Sequence, residues 1–80
     1  MRVRAGNPAF IFNGLNVIID CNIANSTTFE WLYNGTPDQS RGNVSIITVS
    51  NANHHDRFTC ITDKIRRDTF IIFVNKHFCV

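Results

Sequence analysis

The chain has 80 residues, of which 44% are hydrophobic and 18% charged, and its formal net charge is +2. This composition excludes a disordered chain, and the length fits one small domain, near the size at which a core alone gives little net stability. The weak charge argues against a nucleic-acid partner, because nucleic-acid-binding domains usually have a pI above about 9 and a basic stripe. Every apolar run is shorter than the roughly 18 residues of a membrane-spanning helix, so direct membrane insertion is not expected.

Residues 1–80 are expected to form one domain, in which residues 1–8 and 75–80 are flanking ends. The opening residues, Met-Arg-Val-Arg-Ala-Gly-Asn-Pro, read like the edge of a fragment cut from a larger protein. Domain boundaries usually fall in such polar, exposed segments. Neighbouring domains of the same chain are therefore expected as partners.

Short runs rich in Val, Ile, Phe and Thr recur along the chain, separated by clusters of Gly, Asn, Asp and Pro. The runs predicted to be strands are, in chain order, residues 9–12, 16–22, 28–33, 43–50, 57–62 and 69–74. This spacing is typical of an antiparallel all-β sandwich or barrel. The best helical candidate is a weak turn over residues 52–56.

Alternation within three of these runs places large apolar side chains on one face, together with a cysteine or the only tryptophan. The residues predicted to face inward are Val17, Ile19, Cys21, Phe29, Trp31, Phe58 and Cys60. Two sheets packed about 10 Å apart would hold these side chains between them. A disulfide between Cys21 and Cys60 would close a loop of about forty residues and contribute roughly 3–4 kcal/mol.

The same residues resemble an immunoglobulin-superfamily domain of the compact C2 or I-like type. The segment Val17-x-Ile19-x-Cys21 is similar to strand B, Phe29-x-Trp31-x-Tyr33-Asn34-Gly35 to strand C, and Phe58-x-Cys60 to strand F. The resemblance implies about seven short antiparallel strands in two sheets, with Trp31 packed against a Cys21–Cys60 bridge. A buried indole N–H is expected to find an acceptor.

The corner between strands E and F departs from the family pattern. Phe58 stands where the family usually has a tyrosine, so this residue cannot form the hydroxyl hydrogen bond of the tyrosine corner. The acidic position of the pattern falls on Asp56, only two residues before Phe58, or else on His54. The register of strand E, which Ile47-x-Val49 resembles, is open by one or two residues.

No motif in the chain indicates catalysis, a metal or a cofactor. The run His54-His55-Asp56 lacks the spacing of a zinc site, and adjacent histidines on an extended segment would point to opposite faces. A solvated loop is the expected reading of this segment. Nucleophile-elbow and phosphate-cradling glycine patterns are both missing from the sequence, so an enzyme is not expected.

Three N-glycosylation sequons, beginning at Asn25, Asn34 and Asn43, lie at or beside predicted loops. Together with a disulfide they favour an extracellular or cell-surface location. Pro37, directly after the second sequon, is expected to lower its use. Cys79 is the odd cysteine, and it fits a neighbouring domain, a trimmed end or an intermolecular bond.

The loop between the fifth and sixth of these runs, residues 63–68, supplies the predicted contacts with a partner. These contacts are Lys64, Ile65, Arg66 and Arg67, with Ile61 on the adjacent strand. The simpler reading is that the charges only keep the protein soluble. The expected function is an extracellular recognition module that binds a protein ligand or receptor; the alternative is an intracellular immunoglobulin domain of the muscle-filament kind, acting as a spacer.

Overall fold

The computed structural model describes residues 2–4, 9–12, 16–22 and 25–75. Regular structure in these residues is strand, apart from one turn of 3-10 helix over Gln39–Arg41. Numbered in chain order, the strands are β1 (Arg2–Arg4), β2 (Ala9–Phe12), β3 (Val17–Asp20), β4 (Phe29–Tyr33), β5 (Thr36–Pro37), β6 (Ile46–Val49), β7 (Arg57–Thr62) and β8 (Arg66–Asn75).

Each of the six predicted runs contains a strand, and the predicted all-β class is confirmed. The sequence predicts neither β1 nor β5, which are short and have no apolar run. Arg2–Arg4, which lies in the segment expected to be a flanking end, pairs with β3. Residues 76–80, including Cys79, lie outside the described residues.

The strands form a three-stranded sheet in the order β1-β3-β6 and a five-stranded sheet in the order β2-β8-β7-β4-β5. The pairs β3–β6, β4–β5, β4–β7 and β7–β8 are antiparallel. In contrast to the purely antiparallel prediction, β1 runs parallel to β3 and β2 runs parallel to β8. Parallel neighbours need a crossover, and the chain supplies one by forming β2 in the second sheet between β1 and β3.

Side chains from both sheets meet in one apolar core, because alternate residues of each strand face the same side. The core cluster consists of Val17, Ile19, Cys21, Trp31, Ile47, Val49, Phe58, Cys60, Phe70, Ile72 and Val74. Phe29 is half buried and packs against this cluster.

Arg41 links the segment after β5 to the edge of the other sheet. Its Nη1 donates to the backbone oxygen of Thr48 in β6 at 3.3 Å. The same guanidinium pairs with Asp38, with 3.2 Å between Nε and Oδ2, and lies over the Phe58 ring at 5.9 Å from its centroid. Because β6 ends the sheet order β1-β3-β6, this contact covers part of a strand edge that no other described strand pairs with.

Candidate binding surface at the β7–β8 hairpin

The predicted disulfide between Cys21 and Cys60 is confirmed, and it joins the two sheets. Cys21 follows β3 in one sheet and Cys60 lies in β7 of the other, with 6.5 Å between their Cα atoms, which is within the usual range. Trp31 is the register partner of Cys60 and is 2% exposed. Its indole Nε1 donates to the backbone oxygen of Val44 at 2.7 Å, so the expected acceptor is present. The other predicted core residues divide into buried Val17, Ile19 and Phe58 and half-buried Phe29.

The turn between β7 and β8 is a tight one that presents an apolar side chain to solvent. The backbone N–H of Ile65 donates to the oxygen of Thr62 at 3.0 Å and closes the turn. Asp63 and Lys64 have positive φ angles of 51° and 63°, a conformation that costs a non-glycine residue about 1 kcal/mol or more. Ile65 at the tip is 87% exposed.

The carboxylate of Asp63 fixes this turn to the segment before β4. Its Oδ1 accepts hydrogen bonds from the backbone N–H groups of Thr27 and Thr28 at 2.8 and 2.9 Å, and from their hydroxyls at 3.1 and 3.4 Å. The backbone N–H of Asp63 in turn donates to the oxygen of Thr28 at 2.9 Å. The bonds from the two backbone N–H groups hold the pKa of Asp63 below its usual value. Ile65 is therefore presented on a rigid support.

The predicted contact loop is shorter than the sequence suggested. Only residues 63–65 form the turn, and Arg66, Arg67 and Asp68 already belong to β8. Consecutive strand residues face opposite sides, so Arg66 and Arg67 do not form one patch. Arg66 lies 3.1 Å from Oδ2 of Asp68, measured from Nε, whereas Arg67 is the register partner of Ile61 on the outer face.

Ile61 was predicted to be an exposed contact, and this prediction is wrong. Its exposure is 8%, although it lies on the outer face of β7. Its register partners there are Glu30 and Arg67, whose long side chains can cover an apolar neighbour with their methylene groups. The accessible residues of the predicted surface are therefore Lys64, Ile65, Arg66 and Arg67. We call Lys64, Ile65 and Arg67, which lie on the turn and the outer face, the hairpin tip.

A groove with a volume of about 380 Å³ lies beside the hairpin tip. It is lined by Thr28, Phe29, Glu30, Asn43, Ile61 and Lys64. Phe29 and Ile61 supply apolar atoms, and Glu30 and Lys64 supply opposite charges. The groove thus joins the start of β4 to the turn of the hairpin.

The three sequon asparagines are exposed, but their side-chain amides differ. Asn34 uses both ends of its amide: Oδ1 accepts from the backbone N–H of Arg57 at 2.8 Å, and Nδ2 lies 3.5 Å from Oδ1 of Asp56. Among the described residues, Asn43 makes a side-chain hydrogen bond through Oδ1 alone, which accepts from the backbone N–H of Phe29 at 2.6 Å. Asn25 has a positive φ of 67° and lies two residues before Thr27. A glycan on Asn25 would therefore stand near the hairpin tip.

The two histidines of the corner turn lie side by side, with ring centroids 3.8 Å apart. This contradicts the expectation that they point to opposite faces. The segment is a turn and His55 has a positive φ of 68°, so strand alternation does not apply. Nδ1 of His54 accepts from the backbone N–H of Val74 at 3.0 Å. In the described part of the chain, no three His, Cys, Asp or Glu side chains are grouped so as to hold a metal ion.

The contact between Asp63 and Thr27 was not found from the sequence. The two residues are 36 positions apart, and only the general preference of Asp for turns pointed to Asp63.

No family model matches the chain, and comparisons with curated proteins and with solved structures gave no match. Among the described residues, no helix has the length and apolar character needed to cross a membrane.

Proposed function

We propose that the chain is an immunoglobulin-like recognition module of an extracellular protein, such as a receptor, an adhesion molecule or a virally encoded surface glycoprotein. The observation that carries the proposal is the Cys21–Cys60 bridge between two sheets, with Trp31 beside it. The strand order supports it, since β1-β3-β6 and β4-β7-β8 follow the A-B-E and C-F-G orders of the family. The parallel pairing of β1 and the Phe58 corner are departures of this chain from that pattern.

The same bridge supports a secretory location, because disulfides form and persist in oxidising compartments. Three exposed sequons agree with this location. Counting free thiols on the native protein distinguishes the extracellular module from the alternative, an intracellular spacer. One free thiol among the three cysteines supports the extracellular module, whereas three would contradict it.

The hairpin tip is the surface proposed to meet a protein partner. Ile65 is an apolar side chain held in solvent by a turn that Asp63 has already ordered, so burying it on binding costs little conformational entropy. Lys64 and Arg67 flank it with positive charge, which favours an acidic partner surface. Aliphatic and arginine side chains around an ordered anchor are typical of interface centres.

The test compares tip variants with a matched variant elsewhere on the same hairpin. Tetramers of the secreted protein are used to stain a panel of cultured cells, with Ile65→Ser and the double variant Lys64→Glu/Arg67→Glu beside the parent. Arg57→Glu is the control, because Arg57 is exposed at the opposite end of β7. Loss of staining by the folded tip variants alone is expected. Staining that survives in both of them would assign binding to another surface.

A further inference from the structure

The groove beside the hairpin tip has the size and the chemistry of a site for a sugar. Its volume of about 380 Å³ lies in the range of small-ligand pockets, roughly 300–1,000 Å³. Phe29 and Ile61 offer apolar atoms to the C–H face of a sugar ring. Glu30, Lys64 and Thr28 offer partners for its hydroxyls.

One wall of this groove is the sequon residue Asn43. Its Oδ1 is held by the backbone N–H of Phe29 at 2.6 Å, and this bond fixes the side chain against the start of β4. Its Nδ2 has no hydrogen-bond partner among the residues that the structure describes, and Asn43 itself is exposed. Nδ2, the atom that carries an N-linked glycan, is therefore available for modification, while the bond from Oδ1 to Phe29 holds the side chain in place.

The other two sequons do not combine these properties. Asn34 has both ends of its amide engaged, by Arg57 and Asp56. Asn25 is exposed but does not line the groove.

We propose that Asn43 carries an N-linked glycan and that the groove seats its innermost sugars. The inference rests on the secretory location proposed above. In the transfer, C1 of the first N-acetylglucosamine bonds to Nδ2 of Asn43. The bond from C1 to the diphosphate of a lipid-linked oligosaccharide breaks, the diphosphate leaves with the electron pair, and Nδ2 gives up one proton. Ser45 supplies the hydroxyl that the sequon requires.

This glycan would cover the groove and leave Ile65 at the hairpin tip accessible. Lys64 lines the groove, so its amine would be partly covered by sugar. The groove beside the tip would then be filled by the chain's own modification, and a partner would meet the hairpin tip itself.

The test follows the modification of Lys64 in protein secreted from mammalian cells. All samples carry Asn25→Gln, because a glycan on Asn25 would also stand near the hairpin tip. Ser45→Ala is the comparison: it destroys the sequon but keeps Asn43 and its bond to Phe29. Acetylation of Lys64 is measured by peptide mass spectrometry relative to Lys76, the only other lysine of the chain.

We expect Asn43 to be occupied and Lys64 to react several-fold more slowly than in the Ser45→Ala protein. After an endoglycosidase has trimmed the glycan to one N-acetylglucosamine, nuclear Overhauser contacts should join its N-acetyl methyl group to Ile61 or Phe29. An unoccupied Asn43, equal acetylation rates, or a sugar without these contacts would overturn the inference. These outcomes are independent of thiol counts and of cell staining, which test the proposed function.

Discussion

The hydroxyl of Tyr33 donates a hydrogen bond of 3.1 Å to Oδ1 of Asp56, 23 residues further along the chain. The Tyr33 ring also packs against Phe58, with centroids 5.2 Å apart. Phe58 stands where the resemblance places a tyrosine, so a hydroxyl from the neighbouring strand β4 reaches the corner in its place. Asp56 is 7% exposed and also accepts from the backbone N–H of Asn53 at 2.9 Å. The corner before β7 is thus tied to β4.

Tyr33→Phe is expected to lower the free energy of unfolding by about 1–2 kcal/mol, because it removes a hydrogen bond to a buried carboxylate and keeps the ring contact with Phe58. Urea unfolding at pH 7 measures the effect. Burial and the bond to Asp56 raise the pKa of Tyr33. The parent should therefore lose stability as the pH rises above about 10, where the unfolded state ionises first, and the variant should lose less. Equal midpoints at pH 7 would show that the bond contributes nothing.

Trp31→Ala is expected to lower the free energy of unfolding by about 3–5 kcal/mol, since it empties the centre of a small core. Trp31→Phe is the matched variant, which loses the bond from Nε1 to Val44. Because it keeps an aromatic ring in the core, it should lower the free energy of unfolding by less than Trp31→Ala does. Denaturant midpoints of the two variants check this order. A Trp31→Ala protein with the parent's melting temperature would contradict the central position of this side chain.

Asp63→Ala is expected to loosen the hairpin tip without unfolding the domain. The change removes the acceptor of four hydrogen bonds from Thr27 and Thr28, so their amide protons should exchange faster with solvent. Asp63→Asn retains an acceptor oxygen, and asparagine tolerates the positive φ of 51° at this position. Exchange rates near those of the parent are expected for Asp63→Asn. Protection that is unchanged in Asp63→Ala would mean that other contacts order the turn.

The pair of Arg2 and Asp20 should make stability depend on pH. Burial acts to raise the pKa of Asp20, but hydrogen bonds from Arg2 and the Asn22 backbone outweigh it, and the net pKa is lowered. A lowered carboxyl pKa adds stability above the unfolded value of about 3.9, and this stability is lost as the pH falls through the folded value.

Asp20→Asn should therefore be less stable than the parent at pH 7 and lose less stability on acidification below about pH 4. Thermal unfolding between pH 7 and pH 2 measures how the stability of the parent and of Asp20→Asn changes with pH. Arg2→Ala should shift the parent curve in the same direction, since Nη2 of Arg2 lies 2.6 Å from Oδ2 of Asp20. Parallel curves for the parent and Asp20→Asn would contradict the pairing.

Apolar alternation and turn residues were enough to predict most of the strands. The bridge was predicted because Cys21, Trp31 and Cys60 resemble the immunoglobulin pattern. These signals are local or depend on a few large side chains. Strand β1 could not be predicted, because Arg2–Arg4 has no apolar alternation and is held by pairing with β3. The direction of β1 and β2 depends on how the chain crosses between sheets, which periodicity does not encode.

At the candidate surface, the sequence was sufficient to predict that Ile65 is exposed, but not to predict how the residues around it are arranged. Strand alternation places Arg66 and Arg67 on opposite faces, but this can be predicted only when the turn is known to end before Arg66. Ile61 was misjudged because its exposure depends on the side chains beside it on two neighbouring strands, where Glu30 and Arg67 are its register partners. The error at Ile61 concerns register between strands, and register follows from contacts that are distant along the chain.

The hydrogen bond from Arg41 to the backbone oxygen of Thr48 affects self-association of the protein at high concentration. An unpaired strand offers N–H and C=O groups to any extended chain, and natural proteins protect such edges with charged side chains. In antiparallel pairing with β3, Thr48 turns its backbone groups away from the sheet, and Arg41 occupies the carbonyl that an added strand would use. Arg41 thereby opposes growth of the sheet from one molecule into the next.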